Sequence, residues 1–199
     1  MINKDFYTNY MQIFLQENSK VNLISKNDEK YLWEKHIFDS LAISEFFKKY
    51  KFSNLKNKKL LDIGTGGGFP AIPIAITYPE LEVTAVDSIG KKIKSVREIS
   101  SALELKNIYP VCARVENLEE KFDIITSRAV SSLKNICNYA LPKLKKGGYF
   151  IAYKSRKAEE EIEEAQSVLK KFNAKITDII EYELPLDEKI IRNLIIISI

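Results

Sequence analysis

The sequence predicts an α/β protein: a seven-stranded, mostly parallel, doubly wound sheet with a terminal antiparallel strand pair, preceded by a helical N-terminal extension. Three observations carry that expectation. From Lys59 onward, apolar runs of strand length alternate with helical patterns, the rhythm of βαβ units. The first run feeds straight into a turn with four glycines, "GTGGG" (64–68). The last two runs are joined by "PLDEKIIR", too short for a crossover helix, so they are expected to pair antiparallel.

Taken in order, residues from about 3 to 49 read as helical, with Phe6, Tyr10, Ile13 and Phe14 at three-to-four spacing. "HIFDSLAISEFFKKY" (36–50) is a further amphipathic helix, and "KFSNLKNKK" is a polar connection. The expected division is therefore an extension over 1–58 and a ligand-binding domain over 59–199. In that domain the strands are "KLLDI" (59–63), "EVTAVD" (82–87), "NIYPVCA" (107–113), "FDIITS" (122–127), "GYFIAYK" (148–154), 174–184 and 193–199. Helices are expected near 70–78, 90–104, 131–145 and 157–172. Seven strands closing on an antiparallel pair is the class I (Rossmann-like) methyltransferase architecture; a plain dinucleotide-binding domain more often ends in a parallel strand.

The bulk properties agree with an ordinary soluble globular protein. The chain has 199 residues, 45% hydrophobic and 29% charged, enough for one domain with a sizeable core. No apolar run approaches the roughly 20 residues of a membrane span, and the opening residues lack the apolar h-region of a secretory signal. Cys112 and Cys137 have neither metal-ligand nor disulfide-framework spacing, so a cytoplasmic location is expected, with no membrane and no metal. A net charge of +4 permits a polyanionic partner without demanding one. The lysines cluster twice: Lys48, Lys49, Lys51, Lys56, Lys58 and Lys59 form one group, and Lys91, Lys92, Lys94 and Arg97 the other. Either group reads as solvated surface or as a grip on phosphates.

The glycine turn narrows the chemistry. Gly64-Thr65-Gly66-Gly67-Gly68-Phe69 begins like G-x-G-x-x-G but carries Phe69 at the third glycine, so the dinucleotide fingerprint is incomplete. No G-K-[ST] follows, which excludes a triphosphate loop. Pro70 suits the first turn of the following helix. Asp87, nineteen residues after Gly68, ends the second strand, where an acid either accepts from both ribose hydroxyls or caps the next helix. Asp62 reads as a loop-steadying acceptor. Glu116 in "ARVENL" follows the third strand, and in a doubly wound sheet such strand ends converge on one ligand. Together these favour S-adenosylmethionine. The chain shows no Asn/Asp-Pro-Pro-aromatic signature, no cysteine placed for attack, and no cluster of metal carboxylates. His36 is either a packed helix residue or a base. An acceptor that is already nucleophilic suits this absence of obvious catalytic groups.

"LLDIGTGGGFPAIPIAI", "AVDSIGKK", "ARVEN" and "TSRAVSSL", with "KVNLIS", "HIFDSLAI" and "RNLIII", closely resemble the RsmG (GidB) family of bacterial 16S ribosomal RNA guanine-N7 methyltransferases over nearly the whole chain. The resemblance implies methyl transfer from S-adenosyl-L-methionine to N7 of a guanine in 16S rRNA, as naked RNA or in the 30S subunit. It implies that Gly64 and Phe69 contact the cofactor, that Val115 and Glu116 hold its adenine end, and that Arg128 completes the site. Gly66 and Asp87 join them on general fold grounds. His36, Asp39 and Lys154 are expected on the base-entry side, with helix packing or salt bridging as the alternative. Two positions depart from the family pattern, Ala71 and Ser155, where family members carry glycine. A monomer is expected. A small-molecule methyltransferase of the same fold is the alternative function, and an NAD-dependent protein is disfavoured by the missing glycine and the terminal strand pair.

Overall fold

The computed structural model describes residues 3–52, 54–155 and 158–199. The N-terminal region is helical but in pieces. A 3-10 turn (Lys4–Tyr7) leads into α1 (Thr8–Val21), followed by the short α2 (Lys26–Glu29), a π-helical stretch (Leu32–Phe38), α3 (Asp39–Leu41) and α4 (Ile43–Lys49). The breaks have local causes. Asn22 closes α1 in the left-handed region at φ 52. The fully buried Asn18 then turns the chain, accepting from Ile24 N–H at 2.9 Å and donating to Glu29 at 2.7 Å. Ser25 caps α2. The expected single helix over 36–50 is divided at Ala42, where the Ala42 and Glu45 N–H groups donate three residues back, to the Asp39 and Ala42 carbonyls at 3.2 and 3.0 Å.

The sheet has seven strands: β1 (Lys59–Ile63), β2 (Glu82–Asp87), β3 (Ile108–Cys112), β4 (Phe122–Arg128), β5 (Leu144–Lys154), β6 (Lys175–Glu183) and β7 (Ile191–Ser198). Their spatial order is β3-β2-β1-β4-β5-β7-β6. The first five pair in parallel, whereas β7 lies between β5 and β6 and is antiparallel to both. The expected mostly parallel sheet with a terminal antiparallel pair is thus present, with the later strand of the pair on the inside.

The crossovers are α5 (Ala71–Thr77), α6 (Gly90–Ala102), α7 (Leu133–Ala140) and α8 (Ala158–Lys171). Residue 157, the expected start of α8, lies outside the described residues. The helix expected to run to 145 stops at Ala140, because Pro142 turns the chain through a 3-10 segment, and β5 begins four residues before its expected start.

Strands buried on both faces explain the continuous apolar runs. Leu60, Ile124, Ile151, Leu194 and Ile196 point into a core shared with α5, α6 and the N-terminal helices. Their neighbours Leu61, Ile125, Ala152, Ile195 and Ile197 point into the core under α7 and α8. The edge strand β6 alternates exposed and half-buried residues and carries charges such as Asp178 and Glu181, which discourage edge pairing.

Candidate active site

The site forms at the carboxyl ends of β1, β2 and β4. Leaving β1, the N–H groups of Gly64 and Thr65 both donate to the Val86 carbonyl, at 2.9 and 3.0 Å, which bends the loop against β2. Gly64 has φ +70 and a Cβ there would overlap Val130; Gly68 has φ +93 and a Cβ would overlap Ile72. Thr65 O accepts from Gly68 and Phe69, completing the turn, and Pro70 sits at the cap of α5, one position earlier than expected. Beneath the loop, the fully buried Asp62 accepts from Thr126 at 2.9 Å. Burial pushes its carboxyl up to about 6 against the pull of Thr65, Thr126, Arg128 and the Ala71 N–H.

Asp87 anchors the chain at the start of the next helix, the second of its two expected readings. Its two oxygens accept from Gly66 N–H at 3.0 Å and Ile89 N–H at 2.9 Å, pinning the loop to the start of α6. A carboxylate has about four acceptor sites, so capacity for a ligand remains. The Ala113 N–H donates to the Asp87 carbonyl and draws the end of β3 alongside. There Val115 is buried against Val86, and Glu116 is exposed in a 3-10 turn (Val115–Asn117).

A cavity of about 810 Å³ opens above these strand ends, within the roughly 300–1,000 Å³ of small-molecule sites. Gly64, Gly66, Phe69, Arg128, His36, Asp39 and Lys154 all line it; Asp87, Val115 and Glu116 do not, and of these three Asp87 is bonded to the loop. A Cβ on Gly66 would meet nothing nearer than 3.9 Å, so the loop backbone is open to a ligand there. An open glycine backbone beside a carboxylate with spare acceptor sites fits the adenosine and sulfonium parts of S-adenosylmethionine, which bring no phosphate to neutralise.

Arg128, the last residue of β4, is the hub of the cavity wall. Its guanidinium donates to Asp39 Oδ2 at 2.7 Å and to the Lys35 carbonyl at 3.1 Å, and lies 3.2 Å from His36 Nδ1. It also sits 5.2 Å from the Phe69 ring centroid, over which the His36 ring packs from another side at 5.1 Å. Burial, followed by the Arg128 charge, lowers the His36 pKa to about 4. With Nδ1 accepting from Arg128, the ring proton belongs on Nε2, which is buried and has no partner. Arg128 is therefore held mainly by the N-terminal extension, through the π-helical stretch and Asp39. Such stretches recur at functional sites.

Lys154 is engaged in the wall. It donates to Glu161 at 2.6 Å and to the Ser131 carbonyl at 2.8 Å, while the same Glu161 oxygen accepts from Leu133 N–H at the start of α7. Cys137 lies in the core, its thiol pushed up to about 12 by burial. Among the described residues no group of histidines, cysteines and carboxylates is arranged to hold a metal.

Three further residues belong to the wall. Tyr182 on β6 donates to Asp39 Oδ1 at 2.6 Å, and Tyr153 on β5 donates to the Ser40 carbonyl at 2.7 Å. Arg192, opposite Tyr182 on β7, has its Nε buried without a partner. Nothing in the local sequence marks the two tyrosines, and Arg192 shows only as the first residue of "RNLIII"; the strand order brings them here.

The two lysine groups differ. Lys48, Lys49, Lys58 and Lys59 are paired with Glu45, Asp178, Asp123 and Glu120, and Lys59 begins β1, at the opposite end of the strand from the cavity. Lys92 lines the cavity.

The chain matches the family profile described as GidB, rRNA small subunit methyltransferase G, over residues 3–189. It is 40% identical over 186 residues to the ribosomal RNA small subunit methyltransferase G of Staphylococcus saprophyticus subsp. saprophyticus, covering 91% of this chain and 76% of that one. It is also 40% identical over 195 residues to the protein of that name from Lachnoclostridium phytofermentans, covering 95% and 78%. Among solved structures, it is similar in fold to M. jannaschii TYW2 in complex with AdoMet, with a TM-score of 0.59, 20% identity, and coverage of 78% and 76%.

Proposed function

The chain belongs to the GidB family of ribosomal RNA small subunit methyltransferases, and from that premise we propose that it methylates N7 of a guanine in 16S rRNA. It is an S-adenosylmethionine-dependent methyltransferase acting on small-subunit RNA. When bound, the cofactor supplies a sulfonium-activated methyl group. Gly64, Gly66 and Phe69 hold it in the cavity, Asp87 takes the ribose, Val115 and Glu116 flank the adenine, and Arg128 fixes the loop through Phe69.

The observation that carries the N7 reading is the state of the only histidine. With its pKa lowered to about 4 and Nδ1 already accepting from Arg128, His36 offers a donor and no base. Guanine N7 has an in-plane lone pair and needs no deprotonation, so the chain's task is placement, which can supply roughly 7–11 kcal/mol. N7 lies on the major-groove edge, which A-form RNA hides from side chains, so the target is a looped or extruded base.

Charge favours RNA over a small molecule. Of the basic residues lining the cavity, Lys35, Arg128 and Lys154 are paired with Asp28, Asp39 and Glu161. Lys92 and Arg192 have no carboxylate partner among the described residues, leaving excess positive charge for a polyanion. The chain acts as a monomer in the cytoplasm, with 1–58 as an extension carrying part of the wall and 59–199 as the cofactor domain. No described helix is long and apolar enough to cross a membrane.

The deciding experiment offers labelled S-adenosylmethionine with unmodified small-subunit RNA, naked and as 30S particles, and maps the product. Label on N7 of one guanine supports the reading. Cofactor binding without label in either RNA form removes it and points to a small-molecule acceptor.

A further inference from the structure

We propose that Tyr182 is a positioning residue for methyl transfer, holding Asp39 and through it Arg128 against Phe69 of the glycine loop. The inference rests on the cofactor site described above and assigns a task to the β6–β7 hairpin. Asp39 is 5% exposed, and its two oxygens are shared out: Oδ2 accepts from Arg128 at 2.7 Å and Oδ1 from the Tyr182 hydroxyl at 2.6 Å. A buried carboxylate keeps its geometry only while both oxygens are satisfied. Losing the hydroxyl frees Asp39 to rotate toward other donors, and Arg128 follows.

The hairpin also meets the cavity directly. Ile190 and Arg192 line it, and Arg192 stands opposite Tyr182 in the β6–β7 register. An acceptor seated against that hairpin is therefore two hydrogen bonds from the guanidinium that packs on the cofactor loop. Tyr7 provides a control. It is buried where Tyr182 is half-buried, and its hydroxyl bonds Thr77, also at 2.6 Å, but it does not line the cavity.

The test compares Tyr182→Phe, Asp39→Asn, the double variant and Tyr7→Phe in the full chain. Three quantities are measured: thermal unfolding, single-turnover transfer to unmodified small-subunit RNA, and NMR titration of His36, the only histidine. Tyr182→Phe is expected to slow single-turnover transfer about tenfold, the scale of one hydrogen bond to a charged group, with KM for RNA unchanged. It is expected to add nothing in the Asp39→Asn background. It is also expected to move the His36 titration upward, because a loosened Arg128 repels the imidazolium less. Tyr7→Phe lowers the unfolding temperature and leaves the rate and the His36 titration in place. A full rate with an unmoved His36 titration in Tyr182→Phe overturns the positioning role, as do losses that multiply in the double variant. If the wild-type chain labels neither RNA form, the functional reading fails instead, and the His36 titration still decides whether Tyr182 holds Arg128.

Discussion

The glycine loop and the Arg128 hub face the same cavity and are built in opposite ways. The loop is one contiguous stretch whose shape comes from backbone: paired N–H donations to Val86 and left-handed glycines. The hub is side-chain chemistry gathered from afar. Arg128 reaches Asp39 across 89 residues of sequence, and Tyr182 reaches the same carboxylate across 143. One region is therefore sensitive to the size of a side chain and the other to its charge. Phe69 belongs to both, since the loop carries it and Arg128 packs on it.

Breaking the hub has the largest expected effect. Asp39→Ala leaves the half-buried Arg128 without its carboxylate and is expected to cost about 3 kcal/mol in denaturant unfolding, together with cofactor binding by calorimetry. Gly64→Ala attacks the loop instead. The left-handed backbone alone costs about 1–2 kcal/mol, and overlap with Val130 adds to it. Adding Val130→Ala is expected to recover the overlap and not the backbone cost, which separates the two contributions.

A pH series sharpens the contrast further. His36 has a folded pKa of about 4 against an ordinary 6.5, so its contribution is complete above 6.5 and is lost as pH falls toward 4. The loss approaches about 1.4 kcal/mol per pH unit. Asp62, beneath the loop, has the opposite sign: its folded value of about 6 lies above the ordinary 3.8, so its contribution is complete below 3.8 and is lost as pH rises through 6. The two oppose one another between about pH 4 and 6. The wild-type chain is expected to show a shallow profile there by urea unfolding, and His36→Gln a stability that rises on acidification. The smallest effect belongs outside both regions. Lys92→Gln is expected to change stability by less than about 0.5 kcal/mol, while lowering the salt slope of RNA binding by about 1.

The loop was legible because backbone geometry leaves a residue-type signature. Glycines at left-handed positions, an acid at the tip of β2 and strand–helix alternation all show in a single sequence. Helix ends were less legible: Pro142 and the tight turn at Ala42 shift boundaries through local bonding that periodicity averages away. The hub was half visible. His36, Asp39 and Arg128 stood out as residues, but nothing local showed that Arg128 would spend its donors on the extension, or that Lys154 would be tied to Glu161. Tyr182 was silent, because an alternating edge strand looks the same whatever it faces, and Arg192 showed only as the first residue of "RNLIII", with no sign of the cavity it faces.

The placement of β7 between β5 and β6 also governs when the enzyme becomes whole. β7 is made after the other six strands, yet its Leu194, Ile195, Ile196 and Ile197 are fully buried and feed both cores. Until it leaves the ribosome, β5 has an open edge, β6 has no neighbour, and Tyr182 has no fixed place from which to reach Asp39. The nascent chain can therefore assemble its glycine loop early, but it cannot complete the Arg128 wall until the final strand has been threaded into the sheet. Completion of the sheet thus waits on β7, and a chain lacking Ile191–Ser198 is expected to misassemble and aggregate rather than to work slowly.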